Sequence, residues 1–264
     1  EKRKTRSMEA LVKRRFGQGV WNVIRFNWHF YVISACVIGV SLGLSAVLES
    51  SYDWCAVVVA LLTICLTSSS LIATFYIYDM SHLYDLKWLD GEDDKRADVI
   101  LSLSAGFDET SGLLKSRYSS ATHHVMDFYH SLGEKEISIQ RAKKAYPLSS
   151  DALEIDLSKI PLADHSVDKV FLIFAAHEVR DASERINFFK EINRVLRNQG
   201  QVIVVEHIRD VPNFIAYNVG FLHFLSRGDW LRTFKSSGMR LRNAIKHTPF
   251  ISIFVLEKND GITP

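Results

Sequence analysis

Residues 169–207, KVFLIFAAHEVRDASERINFFKEINRVLRNQGQVIVVEH, decide the fold. Lys169–Phe174 (KVFLIF) is a short, strongly apolar run of the kind that fills a buried strand. Asp181–Leu196 has helical spacing, with Asp181 or Ser183 placed to cap its start and Gly200 expected to stop it. Gln201–Val205 (QVIVV) is a second apolar strand. A strand, a crossover helix and a strand in this order predict a parallel pair. The same alternation runs outward in both directions. Upstream, Val99–Leu103, His124–Met126 and Ala152–Asp156 read as strands, and Thr110–Tyr118 and Glu134–Ala145 read as helices. Downstream, a short helix over Asp229–Gly238 precedes two strands, Arg240–Lys246 and Ile251–Leu256. These two leave no room for a helix between them and predict an antiparallel hairpin at the sheet edge. The expected class is α/β, a doubly wound, seven-stranded, mostly parallel sheet.

The front of the chain has another character. Over all 264 residues the protein is 47% hydrophobic and 23% charged with a net charge of +2, which excludes a disordered chain and a general nucleic-acid binder. Residues 1–28 nevertheless carry Lys2, Arg3, Lys4, Arg6, Lys13, Arg14, Arg15 and Arg25 against Glu1 and Glu9. Phe30–Leu48 and Trp54–Tyr78 then run without a charge, joined by the short acidic connector Glu49–Asp53. Each run is long enough to span a bilayer core of ~30 Å. Basic residues before the first run and none in the connector predict a hairpin with both ends cytoplasmic. Gly39, Gly43, Ser41 and Ser45 form a small-residue stripe suited to helix packing, within the chain or between copies in a homo-oligomer. Cys36, Cys55 and Cys65 are expected as small buried hydrophobes with no disulfide framework. The expected division is 1–28 as a basic cytoplasmic segment, 29–78 as two transmembrane helices, 79–97 as a linker, and 98–264 as the α/β domain of an integral inner-membrane protein.

Ligands of such sheets bind beyond the carboxyl ends of the strands. After the first strand come Ser104, Ala105 and Gly106, then Phe107, Asp108 and Glu109, small residues that let a backbone approach a ligand. Asp127 ends the second strand, where a carboxylate can take both hydroxyls of a ribose. Asp156 ends the third, followed by Leu157. Ala175, Ala176, His177 and Glu178 follow the fourth. Glu206, His207, Ile208, Arg209 and Asp210 end and follow the fifth. His123, His124 and His130 match no standard metal spacing, and no metal site is expected.

Residues 98–257 resemble a class I S-adenosylmethionine-dependent methyltransferase, most closely the quinone-type and small-molecule or lipid methyltransferases. The match is densest over IDLSKIPLADHSVDKVFLIFAAHEVRD (155–181) and FFKEINRVLRNQGQVIVVEH (188–207), including the Leu196–Gly200 turn. The first loop departs from the pattern: only Gly106 stands where the family has a glycine-rich loop, and Ser102 stands where it often has an acid. The resemblance implies S-adenosylmethionine as cofactor. Ser104, Ala105 and Gly106 would line its methionine end, Asp127 would bind the ribose, Asp156 with Leu157 the adenine, and Ala175 would lie beneath. Methyl transfer depends chiefly on alignment, helped by a base where the acceptor must lose a proton. His177 or His207 is the expected base, oriented by Glu206 or Asp210, with Arg209 stabilising an oxyanion or a headgroup phosphate and His223 as a further candidate. The aromatic segment Val211–Arg227 is expected over the site mouth, facing a lipophilic acceptor or membrane lipid. The competing expectation is a non-catalytic membrane scaffold whose irregular first loop has lost the cofactor.

Overall fold

The computed structural model describes residues 14–47, 53–90, 97–133 and 136–259. Lys2 to Lys13, all of the connector except Asp53, residues 91–96 of the expected linker, and Glu134 and Lys135 lie outside them. The seven strands are β1 Val99–Ser104, β2 Thr122–Asp127, β3 Ala152–Glu154, β4 Val167–Ile173, β5 Leu196–His207, β6 Met239–Lys246 and β7 Ile251–Lys258. They form one sheet in the order β3-β2-β1-β4-β5-β7-β6. Strands β1 to β5 pair in parallel, and β7 runs antiparallel to both β5 and β6, so the last hairpin closes the edge as the sequence predicts. The order reverses between β1 and β4, the place where such sheets open to a ligand.

The helices are α1 Gln18–Phe26, α2 Trp28–Val47, α3 Asp53–Phe75, α4 Ser111–Arg117, α5 Ile137–Ala145, α6 Ala182–Val195, α7 Val211–Tyr217 and α8 Arg227–Ser236. Asp181 caps α6 by accepting from the Ser183 and Glu184 amides. Ser226 and Asp229 form a reciprocal capping box at the start of α8. Gly200 does not stop α6, which ends at Val195 and passes directly into β5. Its lack of a side chain serves another end: a Cβ there would lie 2.9 Å from the Asp168 carbonyl.

One sheet face packs on Phe188, Phe189, Ile192 and Val195 of α6 and on Trp230 and Phe234 of α8. The other face has an unusual cover. Ile100, Phe171, Ile203, Val205, Ile251 and Ile253 meet Ala73 at the foot of α3, then Ile77, Leu83, Leu86 and Leu89 from the turns that follow it. Leu89 is 1% exposed. The chain leaving α3 is therefore built into the core of the α/β domain. At 1.5 Å per residue, α2 with 20 residues and α3 with 23 are about 30 and 34 Å long, and both are long and apolar enough to cross a membrane.

The two rods pack on each other through Ser41 and Ala60, both buried, and through Thr67 bonded to Ser34 at 3.3 Å. Gly39 and Gly43 face outward, and a Cβ added at either would meet nothing within 4 Å. Cys36, Cys55 and Cys65 are exposed on the helix surfaces, not buried as expected, because each falls on the side turned away from the partner helix. Val40, Leu61, Leu62 and Ile72 are exposed on the same two rods.

Replacing Leu89 by alanine should cost about 2–5 kcal/mol, the range for a buried leucine cavity. Denaturant unfolding of the purified protein checks this, and a cost under ~0.5 kcal/mol would mean the segment does not seal the sheet.

Candidate active site

The loop after β1 is held by one carboxylate. Asp127, fully buried at the end of β2, accepts from the Ser104 hydroxyl at 2.7 Å, the Gly106 amide at 2.5 Å and the Tyr129 amide at 3.1 Å. Gly106 turns at φ +84°, and a Cβ there would fall 2.5 Å from Ile139 and 2.9 Å from the Tyr129 ring, so only glycine fits. Asp108 caps the start of α4 through the Thr110 and Ser111 amides. Glu109 is tied to Arg14 at 2.7 Å, to Asn22 and to the Tyr84 hydroxyl. Helix α1 thus lies over this loop, with Phe26 edge-on to Phe107 and Asn22 accepting from the Tyr146 hydroxyl. The α1 amides of Gly19 and Val20 donate in turn to Asp79, beyond α3.

The strand ends bring the expected cofactor residues to one rim: Ser104, Ala105 and Gly106 on β1, Asp127 on β2, exposed Asp156 and buried Leu157 after β3, and buried Ala175 after β4. Their types suit a sulfonium nucleoside: a glycine turn for close approach and carboxylates at the ends of β2 and β3. In this arrangement Tyr129 and Ile139 fill the space at Gly106, and Asp127 is turned wholly inward. Both Asp127 oxygens are engaged by the Ser104 hydroxyl and the Gly106 and Tyr129 amides.

A second group lies across the ends of β4 and β5. His177 sits on a short turn, Ala176–Glu178, straight after β4. Its Nδ1 is 2.7 Å from Glu206 Oε2, its backbone amide donates to Glu206 Oε1, and its Nε2 is 3.0 Å from Glu178 Oε1. Burial alone would lower the His177 pKa. The Glu206 charge and the hydrogen bonds to both glutamates outweigh burial and raise it to about 10. Burial tends to raise Glu178, yet bonds to His177 and His223 hold it well below the usual carboxylate range. His177 is therefore an imidazolium at neutral pH, a donor and not the expected base.

His207 is the opposite case. Its ring stacks between Phe174 and Phe224, at 5.1 and 4.8 Å, with Tyr217 edge-on. Desolvation, and next the His177 charge, lower its pKa to about 4, so it is neutral. Nδ1 lies 3.2 Å from both Asn213 Oδ1 and the Phe250 carbonyl, two acceptors, so it carries the proton. The free lone pair on Nε2 accepts from the Tyr78 hydroxyl at 2.9 Å.

Asp210 does not touch either histidine. It caps α7, pairs with Lys246, and orients Asn213, which in turn holds His207. Arg209 clasps the carbonyls of Leu222 and Phe224, fixing the loop below α7, with no oxyanion or phosphate role visible in that geometry. Tyr78 and Asn213 complete the site with Glu178, which the sequence places after the fourth strand without a role. The sequence marks Tyr78 only as the last residue of the second uncharged run, and no local signal pairs it with a histidine 129 residues away.

Residues 101–204 match the family described as "Methyltransferase domain". No curated protein matches. The solved mitomycin 7-O-methyltransferase MmcR shares the fold at a TM-score of 0.51 and 11% identity, covering 95% of this chain and 75% of that one. A SAM-dependent methyltransferase from Aquifex aeolicus is similar at 16% identity and a TM-score of 0.49, covering 68% of this chain and 94% of that one. The family match over residues 101–204 indicates S-adenosylmethionine as the cofactor.

Glu206→Ala should destabilise the protein by about 3–5 kcal/mol at pH 7, because it strips a buried imidazolium of its counter-charge. His177 is charged in the folded state below a pKa of about 10, so the penalty should shrink as pH rises through that value. Unfolding of wild type and variant at pH 7 and pH 10.5 tests both the size and the sign.

Proposed function

We propose that this chain transfers a methyl group from S-adenosylmethionine to a lipophilic acceptor, a quinone, phenolic lipid or phospholipid, at the cytoplasmic face of a membrane spanned by α2 and α3. The observation that carries the reading is the position of the insertion between β5 and β6. Helix α7 and the turn Asn218–His223 lie along α3, with the Asn218 side-chain amide donating to the Leu66 carbonyl at 3.3 Å. Leu66 is nine residues above Phe75, roughly 13 Å up the rod. Phe214, Ile215, Val219 and Leu222 are exposed on this insertion, beside the exposed apolar surface of α3. A greasy ramp so placed favours an acceptor that arrives from the hydrocarbon. The basic flank ahead of α2 supports the cytoplasmic orientation.

Ser104, Ala105, Gly106, Asp127, Asp156, Leu157 and Ala175 would hold the cofactor, which when bound supplies an electrophilic methyl on sulfur. The protein's part is alignment and exclusion of water. Phe174, Tyr217 and Phe224 wall the His207 ring in a dry box. The Tyr78–His207–Asn213–Asp210 chain fixes that ring's tautomer. The His177 imidazolium is held at the end of β4 between Glu206 on Nδ1 and Glu178 on Nε2.

A scaffold without catalysis is the second reading, favoured by the inward turn of Asp127 and by Tyr129 and Ile139 at Gly106. Calorimetry with S-adenosylmethionine separates the two, since the scaffold gives no heat of binding. For the enzyme, full-length protein in nanodiscs with labelled S-adenosylmethionine and a host lipid extract should yield an organic-soluble labelled product. The double substitution Phe214→Asp, Val219→Asp should cut that labelling at least tenfold, about 1.4 kcal/mol in the barrier, with unchanged cofactor affinity. Labelling confined to water-soluble products would count against a lipophilic acceptor.

A further inference from the structure

We infer that His177, Glu178 and His223 form a binding site for a divalent transition-metal ion of the zinc type, with Glu206 as the supporting carboxylate. Nitrogen and carboxylate ligand atoms of these three residues lie within 4.8 Å of one another. His177 Nε2 is 3.0 Å from Glu178 Oε1, and His223 Nε2 is 3.4 Å from the same oxygen. Ligand atoms around tetrahedral zinc, with bonds of ~2.0–2.2 Å, sit about 3.3–3.5 Å apart. Two edges of the polyhedron are thus nearly at the spacing the ion needs, and the third lies within 4.8 Å.

The surroundings are those of a metal-binding histidine. A ligating imidazole commonly donates its other ring N–H to a carboxylate, which fixes the ring and makes it a better ligand. His177 does this through Nδ1 to Glu206, which is fully buried and is held a second time by the His177 amide. That leaves Nε2 aimed at Glu178. The ligands rest on firm elements: His177 and Glu178 on the turn closing β4, and His223 on the loop clasped by Arg209. An ion here takes the place of the proton between His177 and Glu178. Arg180, whose side chain is 43% exposed, contacts the His223 ring and lies 3.8 Å from Glu178 Oε2. Its guanidinium has to swing into solvent as a cation enters.

Two histidines and one glutamate leave a coordination position free, the arrangement of catalytic and not structural zinc. The Phe224 ring lies edge-on to His177 with centroids 6.5 Å apart. The ion's binding stands by itself; its use, to polarise a hydroxyl of the acceptor, rests on the proposed methyl transfer. A hydroxyl bound there loses its proton to solvent more readily, so no side-chain base is required.

The test uses full-length protein in detergent, stripped with a chelator and titrated with zinc by calorimetry and by equilibrium dialysis with elemental analysis. One zinc per chain is expected. Glu178→Gln and His223→Ala should each weaken binding at least tenfold, the scale seen when a metal site loses part of its shell. His223 is partly exposed, so His223→Ala should keep the metal-free melting temperature of wild type and stays interpretable if Glu178→Gln does not fold. Binding well below one equivalent, or a foldable variant that binds zinc as tightly as wild type, overturns the site. Affinity for S-adenosylmethionine is measured separately on the metal-free sample, so loss of the methyltransferase reading and loss of the metal site register in different experiments.

Discussion

A parallel sheet exposes apolar side chains on both faces and is stable only when both are covered. Here one of the two covers is shared between the chain descending from α3 and Leu114, Tyr118 and Ala216 of the domain itself. Ile77, Leu83, Leu86 and Leu89 take the place against Ile100, Phe171 and Ile203 that a crossover helix fills in a free-standing sheet. The rest of the molecule follows from this dependence on the front of the chain. Because the foot of α3 must lie on the sheet, Asp79 reaches the start of α1 and Tyr78 reaches His207. Through α1, the same contact extends to Glu109 in the loop after β1. The apolar rods, the cofactor rim and the histidine cluster are one packed unit.

Two buried histidines about the ends of β4 and β5 are driven to opposite protonation states by what surrounds them. His177 has carboxylates on both ring nitrogens and stays charged. His207 has aromatic faces, two neutral acceptors and a tyrosine, and stays neutral. The charge on the first helps keep the second uncharged, since one imidazolium disfavours another nearby. Such divergence of neighbouring titratable groups is a mark of functional sites.

Much of the fold was legible because it is local. Strand and helix periods, the Asp181 cap and the absence of room between β6 and β7 depend on neighbours in sequence, and the strands and helices expected from residue 98 onward appear in their expected order, though β5 starts five residues early, at Leu196. Gly106, Asp127, His177 and Glu206 were legible for a related reason: topology brings the carboxyl ends of strands together whatever the side chains. What the sequence could not carry is direction and partnership. The cysteines lie on the outer sides of α2 and α3, because the side that faces in is the one carrying buried Ser41 and Ala60 and the Ser34–Thr67 bond. Gly200 has the position of a helix stop, but it answers to the close passage of Asp168. Asp210 and Arg209 follow the fifth strand as catalytic residues do, yet they anchor α7 and its loop.

The hydroxyl of Tyr78 on the ring of His207 carries a consequence for how the front of the molecule can vary. Adding one residue to α3 would rotate everything below it by about 100° and lower it by 1.5 Å. That twist would swing the phenol off the imidazole while leaving the length and greasiness of the rod almost untouched. The rod is therefore geared to the domain in angular phase. Exchanging it for another stretch of equal length would preserve the attachment and still pull the Tyr78 hydroxyl away from His207.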